Sequence, residues 1–410
     1  MKKASVVSVG NEIVSGQTVD TNAAYLGERL LSVGIAVVSS YTAGDDIDLI
    51  VRFLKLAGDD ADIILVTGGL GSTNDDLTRR AFAEFLGVEL QLEKKLLQKI
   101  QDFFVSRDLQ MPAINKVQAY MPAGTEALTN NLGTAPGIAA EKEGKLLIAM
   151  PGVPSEMKQM FEESVLMRLK TFAAEQSVVV RKLKCFGTGE SNVAEMLGGI
   201  FRRGRNPLIN ITVHYGVITL HIIATAKDKA DALRMAEKDE KLLRDKLGGL
   251  VYGTGKQTLA EVVGRKLAQQ KKTIAVAESC TGGFLAKLLT DVPGASGYFT
   301  HGWVTYSNKA KIDELGVSAD LIEKYGAVSE KVAVAMAQGA RKRAETSFAI
   351  GITGIAGPGG GSEQKPVGLV YISVDSDSRC ETKSCIISGD RDFIRLRAAQ
   401  RALNMLRLKL

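Results

Sequence analysis

The spacing of apolar residues changes twice along the chain. Up to residue 170, short apolar runs ("ASVVSVG", "IAVVSSY", "ADIILVTGG") alternate with segments such as "NAAYLGERLLSVG", where apolar residues recur every three or four positions. The runs predict buried strands and the spaced segments amphipathic helices, so residues 1–170 read as βαβ units around a mostly parallel sheet. Between 171 and 253 the order becomes strand, helix, two strands and helix: "SVVVRKLKCFG", "ESNVAEMLGGIF", "LINITVHYG", "VITLHIIATA" and "KADALRMAEKDEKLLRDKLGG". The two adjacent strands are expected to be antiparallel, which predicts a small α+β domain. From 254 to 410 strand and helix alternate again, with "TIAVAES", "SFAIGITG" and "GLVYISV" as buried strands. The fold class is therefore α/β in three segments. The two glycine-rich α/β segments predict two separate ligand sites at strand carboxyl ends.

Composition narrows the function. A chain of 410 residues, 45% hydrophobic and 24% charged, is globular and too long for one core. Its net charge of +6 is scattered, and "RRGR" at Arg202 to Arg205 reads as a basic surface turn, so a nucleic-acid partner is not expected. No apolar run is long enough for a membrane span, and "MKKASVVSVGNE" turns polar too soon for a signal peptide, which predicts a cytoplasmic protein without a membrane partner. The four cysteines form no close CxxC pair, and three histidines exclude a His-rich metal centre. Any divalent ion would be a hard cation held by carboxylates.

The chemistry concentrates at strand ends. "AESCTGG" (277–283) follows the apolar run "KKTIAV" and precedes "FLAKLL", so it reads as a strand-to-helix turn. Ser279 is expected near the helix N-cap, where it either caps the helix or stands where backbone N–H groups could hold an oxyanion. The same segment carries "GWVTYSNKAK", "GAVS", "GITGIAGPGGGSEQKPVG" and "SGDRDFIRLRA". In the first segment, strand ends carry "GNEIVSG", "AGDD" and "TGGLGSTNDDLT".

Taken together, the five C-terminal motifs resemble the C-terminal domain of the CinA (competence/damage-inducible) family, also found alone as nicotinamide mononucleotide deamidase. "TGGLGSTNDDLT", "NKVQAYMPAG", "NNLGTAPG" and "MPGVPSEM" are similar to that family's molybdopterin-binding, MoaB-like N-terminal domain. The resemblance implies an amidohydrolase converting nicotinamide mononucleotide to nicotinic acid mononucleotide and ammonia without a cofactor. Ser279, Tyr306 and Lys309 are then the expected catalytic set, with an amine or phenol as base and Tyr306 as a relay. Cys280 is expected to point into the core, with His301 its one candidate partner.

The substrate is expected to meet Cys280, Thr281, Gly282, Thr353, Gly354, Gly357, Gly359 and Gly360, with Arg391 or Arg395 on its phosphate; the two arginines stand one helical turn apart. For the N-terminal domain the resemblance implies hydrolysis of ADP-ribose to AMP and ribose 5-phosphate with magnesium or a similar ion. Asp45 and Asp76 are the implied metal ligands, and Gly10, Glu12, Gly68, Gly69, Gly71, Thr73, Asp75, Pro151 and Gly152 the nucleotide site. Glu156 is a further possible ligand, and Ser72 stands where the family usually has Pro. A homodimer is expected. The competing reading is a molybdopterin-binding or DNA-uptake accessory protein that turns nothing over; a molybdenum cofactor transferase would leave the C-terminal motifs unexplained.

Overall fold

The computed structural model describes residues 2–172 and 177–410. The passage from the first segment to the second, placed at 170/171 from sequence, runs into residues 173–176, outside that description. The chain divides into two compact units, Met1–Val179 with Ala224–Met235, and Val180–Ile223 with Ala236–Leu410.

In the first unit a six-stranded sheet runs in the order Ala36–Ala43, Lys3–Val9, Ile63–Thr67, Lys145–Met150, Gly137–Lys142, Glu126–Leu128. The first four strands pair parallel, as the alternation of runs and helices predicts; Gly137–Lys142 pairs antiparallel to Lys145–Met150, and Glu126–Leu128 antiparallel to Gly137–Lys142. Side chains alternate between its faces. Val6, Leu65 and Ile148 meet Leu26, Leu30 and Phe161 on one side, while Val7, Ile64 and Leu147 meet Ile50, Leu54 and Phe82 on the other. Two helices start on aspartates that the sequence supplies as caps: Asp20 accepts from the Ala23 N–H and Asp46 from the Leu49 N–H, each at 2.8 Å.

The middle segment forms a four-stranded sheet in which Leu208–His214 and Val217–Ala226 pair antiparallel, as expected. The last segment forms a five-stranded sheet in the order Phe299–Val304, Ile274–Glu278, Phe348–Gly354, Leu369–Ser376, Cys380–Ile386. Its first three strands are parallel and the remainder antiparallel. Ile274–Glu278 lies near the centre and is buried at every position, so whatever follows its carboxyl end is held rigidly. The core of this segment also takes in Phe186 and Tyr252 from the middle segment. Among the described residues no helix is long and apolar enough to cross a membrane.

Candidate active site

Ser279 follows the central strand directly, and its N–H is fixed by the Ile352 carbonyl of the neighbouring strand at 3.0 Å. It does not stand at the helix N-cap, contrary to the sequence expectation. Gly282 (φ 59) and Gly283 (φ 90) both adopt left-handed backbone and prolong the turn, so the helix begins only at Phe284 with Gly283 as its cap. The buried Glu278 carboxylate occupies the helix start, accepting from the N–H groups of Leu285 (3.0 Å) and Ala286 (2.8 Å). The positive end of that helix is thus neutralised from inside and does not face Ser279. What remains beside Ser279 are the N–H groups of Cys280 and Thr281, neither of which donates to a backbone carbonyl among the described residues, the Cys280 N–H being turned toward its own sulfur.

The amine that reaches Ser279 belongs to Lys311, not Lys309. Both sit on the helix Asn308–Leu315, which Ser307 caps by accepting from the Ala310 N–H at 3.0 Å. Lys309 points into solvent, its side chain 83% exposed, and pairs with Asp313 one turn on. Lys311 is 1% exposed and its Nζ donates to Ser279 Oγ at 3.1 Å, to the Thr305 carbonyl at 2.8 Å and to the Tyr306 carbonyl at 3.4 Å. No carboxylate pairs with it among the described residues, and burial lowers its pKa from the ordinary value, the Cys280 thiolate opposing weakly. When it is neutral, an amine in this position could take the proton of the serine hydroxyl.

Tyr306 is largely exposed, and its hydroxyl accepts from Arg391 Nη2 at 2.8 Å rather than meeting Ser279. Arg391 also donates from Nη1 to the Gly357 carbonyl at 2.7 Å, tying Tyr306 to the glycine-rich loop. Arg395 turns to the other side of the site: its Nε donates to the Thr281 carbonyl at 3.1 Å, and its Nη2 would lie 3.3 Å from a Cβ on Gly282. Arg391 is thus tied to Tyr306 and the glycine-rich loop, and Arg395 to the turn after Ser279.

Cys280 is buried in the core, and burial pushes its thiol up to about 12. His301 stacks on Trp303 with ring centroids 5.3 Å apart and makes no bond to Cys280. Thr353 is spent structurally, donating to the Ala327 carbonyl at 2.8 Å and so fixing the "GAVS" loop. Gly354 is required by packing, since a Cβ there would lie 2.7 Å from the Leu369 carbonyl, whereas Gly359 and Gly360 lie open. Two buried hydroxyls flank the pair without a partner, those of Thr281 and Thr305.

In the first unit a cleft of ≈ 740 Å³ gathers all of the expected nucleotide-site residues: Gly10, Glu12, Gly68, Gly69, Gly71, Thr73, Asp75, Pro151 and Gly152, with Asp45, Asp76 and Glu156. Phe103, Gln118 and Thr134 also line it and were not singled out from sequence. Asp76 is a loop clamp here. Its oxygens take the Gly71 N–H, the Thr73 N–H and the Thr73 hydroxyl, each at 2.7 Å, and a Cβ on Gly71 would strike it. Below the loop the buried Arg79 donates to the carbonyls of Leu70 and Gly71, its pKa lowered by burial to about 10.

Asp45 accepts from the Asn11 N–H at 3.2 Å; desolvation raises its pKa, and Glu12, Asp75 and Asp76 add to the rise. Among the described residues no three acidic, His or Cys side chains form a ready metal cage. Hard oxygen donors that repel one another still fit a divalent cation arriving with a pyrophosphate, and Asp45, with one backbone bond, is less committed to the fold than Asp76 with three.

Three family models match the chain: a probable molybdopterin-binding domain over residues 5–171, a damage-inducible protein CinA KH domain over 180–253, and a CinA C-terminal domain over 256–410. Competence-damage inducible proteins of Caldicellulosiruptor bescii and Clostridium novyi are 41% and 42% identical over 407 and 408 residues. The alignments cover 99% of both chains in the first case, and 100% of this chain and 98% of the relative in the second. A crystal structure of CinA from Thermoplasma acidophilum, of unknown function, is 34% identical with a TM-score of 0.39, covering 41% of this chain and 98% of that one.

Proposed function

The chain belongs to the CinA family, and from that premise we propose that its C-terminal segment is an amidohydrolase converting nicotinamide mononucleotide to nicotinic acid mononucleotide and ammonia. The observation that carries this reading is the buried Lys311 amine 3.1 Å from Ser279 Oγ. Ser279 passes its proton to Lys311 Nζ as its oxygen bonds to the carboxamide carbon, and the carbonyl oxygen becomes an oxyanion beside the N–H groups of Cys280 and Thr281. The C–N bond then breaks as Lys311 returns the proton to the departing ammonia. Water, deprotonated by the same amine, hydrolyses the ester and releases the carboxylate. Arg391, Arg395 and the open backbone at Gly359 and Gly360 supply charge and N–H donors for the phosphate.

The test is ammonia release from nicotinamide mononucleotide by the purified chain in the presence of a chelator. Turnover is expected with chelator, and Ser279→Ala should lower it by roughly three orders of magnitude. No turnover by the folded chain, or full activity in Ser279→Ala, rejects the assignment.

For the first unit the glycine-lined acidic cleft supports a second activity, hydrolysis of ADP-ribose to AMP and ribose 5-phosphate. A divalent ion there would neutralise pyrophosphate charge and activate water, held chiefly by Asp45 with Glu12 and Asp75 beside it. AMP formation should depend on added magnesium, manganese or cobalt and fall in Asp45→Asn, a variant that leaves the Asp76 clamp intact. If no ion supports it, the cleft binds a nucleotide without hydrolysing it.

A further inference from the structure

A second cleft, of ≈ 520 Å³, opens inside the second unit and contains none of the residues assigned above to catalysis or phosphate binding. Its floor is Lys184, Thr219 and Tyr252 from the four-stranded sheet, and its opposite wall is Leu288, Leu396 and Leu403 from the helices Phe284–Thr290 and Arg391–Arg407. Thr219 and Tyr252 are buried, so the floor is built rather than a shallow surface dip.

Neither lysine on this cleft has an acidic partner among the described residues, although Glu261 and Asp291 also line it. Lys184 is partly buried, and its Nζ donates to the Thr219 hydroxyl at 2.9 Å. Among the described residues it has no acidic partner, and burial first, then Lys182, lowers its pKa. Lys256 at the rim is likewise unpaired among the described residues. The two acids on the lining are already engaged elsewhere. Glu261 accepts from the Thr258 N–H at 2.7 Å in a capping box, and Asp291 pairs with Lys287 at 2.5 Å. A half-buried ammonium over an aromatic and aliphatic wall lacks one thing, an anion whose body is apolar.

We propose that this cleft binds a small aromatic anion, its acidic group between Lys184 and Lys256 and its ring against Tyr252, Leu288 and Leu403. The site is independent of the deamidase reading, because no residue of the Ser279 site lines it. Binding at this position would bear on the helix Arg391–Arg407 from the side opposite its first turn.

Fluorescence titration of the full chain with anilinonaphthalene sulfonate, an aromatic anion, tests the proposal against its uncharged analogue N-phenylnaphthylamine. Lys184→Met keeps the aliphatic stem and removes the charge. It should weaken the sulfonate by about tenfold or more while leaving the neutral dye within about twofold. Lys184→Arg should retain the sulfonate, and Leu396→Trp, which fills the cleft, should exclude both dyes. Unchanged sulfonate affinity in Lys184→Met, in protein whose circular dichroism and melting match the parent, overturns the proposal. Equal weakening of both dyes in that variant also overturns it, since charge would then play no part. If Lys184→Met does not fold, sulfonate binding by Lys184→Arg at parental strength together with exclusion by Leu396→Trp sustains the site, and retention in Leu396→Trp rejects it.

Discussion

Lys309 and Lys311 are two residues apart and chemically identical, yet they do opposite things. On a helix, positions two apart lie on opposite faces while positions four apart share one. Lys309 shares its face with Asp313 and forms an exposed pair; Lys311 shares its face with Leu315, which is buried. That signal was present in "NKAKIDEL": an acid four residues on marks the solvent side, and a leucine four residues on marks the inside. Identity of the residue type was legible from sequence, but its phase on the helix was what decided the chemistry.

Lys311→Met is therefore expected to be nearly as inactive as the serine variant, and Lys309→Met to remain within about twofold of the parent in ammonia release. The lowered pKa of Lys311 also sets the pH dependence. The amine must be neutral to act, so kcat/KM should rise with loss of one proton, at a midpoint below the ordinary 10.5. The same shift acts on stability in the same direction: the fold disfavours the charged amine, so its contribution is full at high pH and declines as pH falls through the lowered value. A pH–rate profile with no such limb in the parent, or Lys309→Met inactive while folded, contradicts this assignment.

The turn after the Ile274–Glu278 strand shows what an element can conceal. Its strand and helix were both legible as apolar patterns, but where the helix begins was not, because two consecutive glycines in left-handed backbone push the start back to Phe284. Glu278, the last residue of a buried strand, attracted no attention in sequence, since an acid at a strand end is ordinarily solvated. Instead it is fully buried and bonds two helix N–H groups, so it fixes the spacing between Ser279 and the helix behind it.

Glu278→Gln keeps the shape but loses the charge and part of the acceptor capacity, at a cost of about 1–3 kcal/mol. Its melting temperature should fall by several degrees, and kcat should drop more than KM changes, because the turn rather than the phosphate clamp is disturbed. Parental melting and kcat in this variant would mean that the carboxylate contributes nothing at the turn. The Asp76 clamp in the first unit follows the same logic: a carboxylate expected from sequence to serve a ligand also shapes the loop that would meet it.

At the scale of the whole molecule, the apolar period changes twice along the sequence, but the dependence of the last segment on the middle one was not legible there. Phe186 and Tyr252 sit in the C-terminal core, and Arg407 donates to the Gly249 carbonyl and, at 3.4 Å, to that of Val251. Such contacts join residues more than 150 positions apart, and no local pattern announces them. A fragment beginning at 254 therefore leaves vacant two aromatic positions of its own core. Residues 177–410 are expected to melt several degrees above residues 254–410, both retaining ammonia release where folded. Equal melting temperatures would show that the shared core carries no stability.

The burial of Cys280 has an outcome for how the protein endures its surroundings. Burial holds this thiol far above neutral pH, so it is un-ionised there, and it lies in a close-packed interior. Peroxide and disulfide reagents attack thiolates they can reach, so this sulfur is sheltered twice over. Ser279, its immediate neighbour, has no oxidation chemistry to lose. An oxygen beside a silenced sulfur makes the turn indifferent to oxidants, so the proposed ammonia release is expected to survive a peroxide treatment that halts thiol hydrolases.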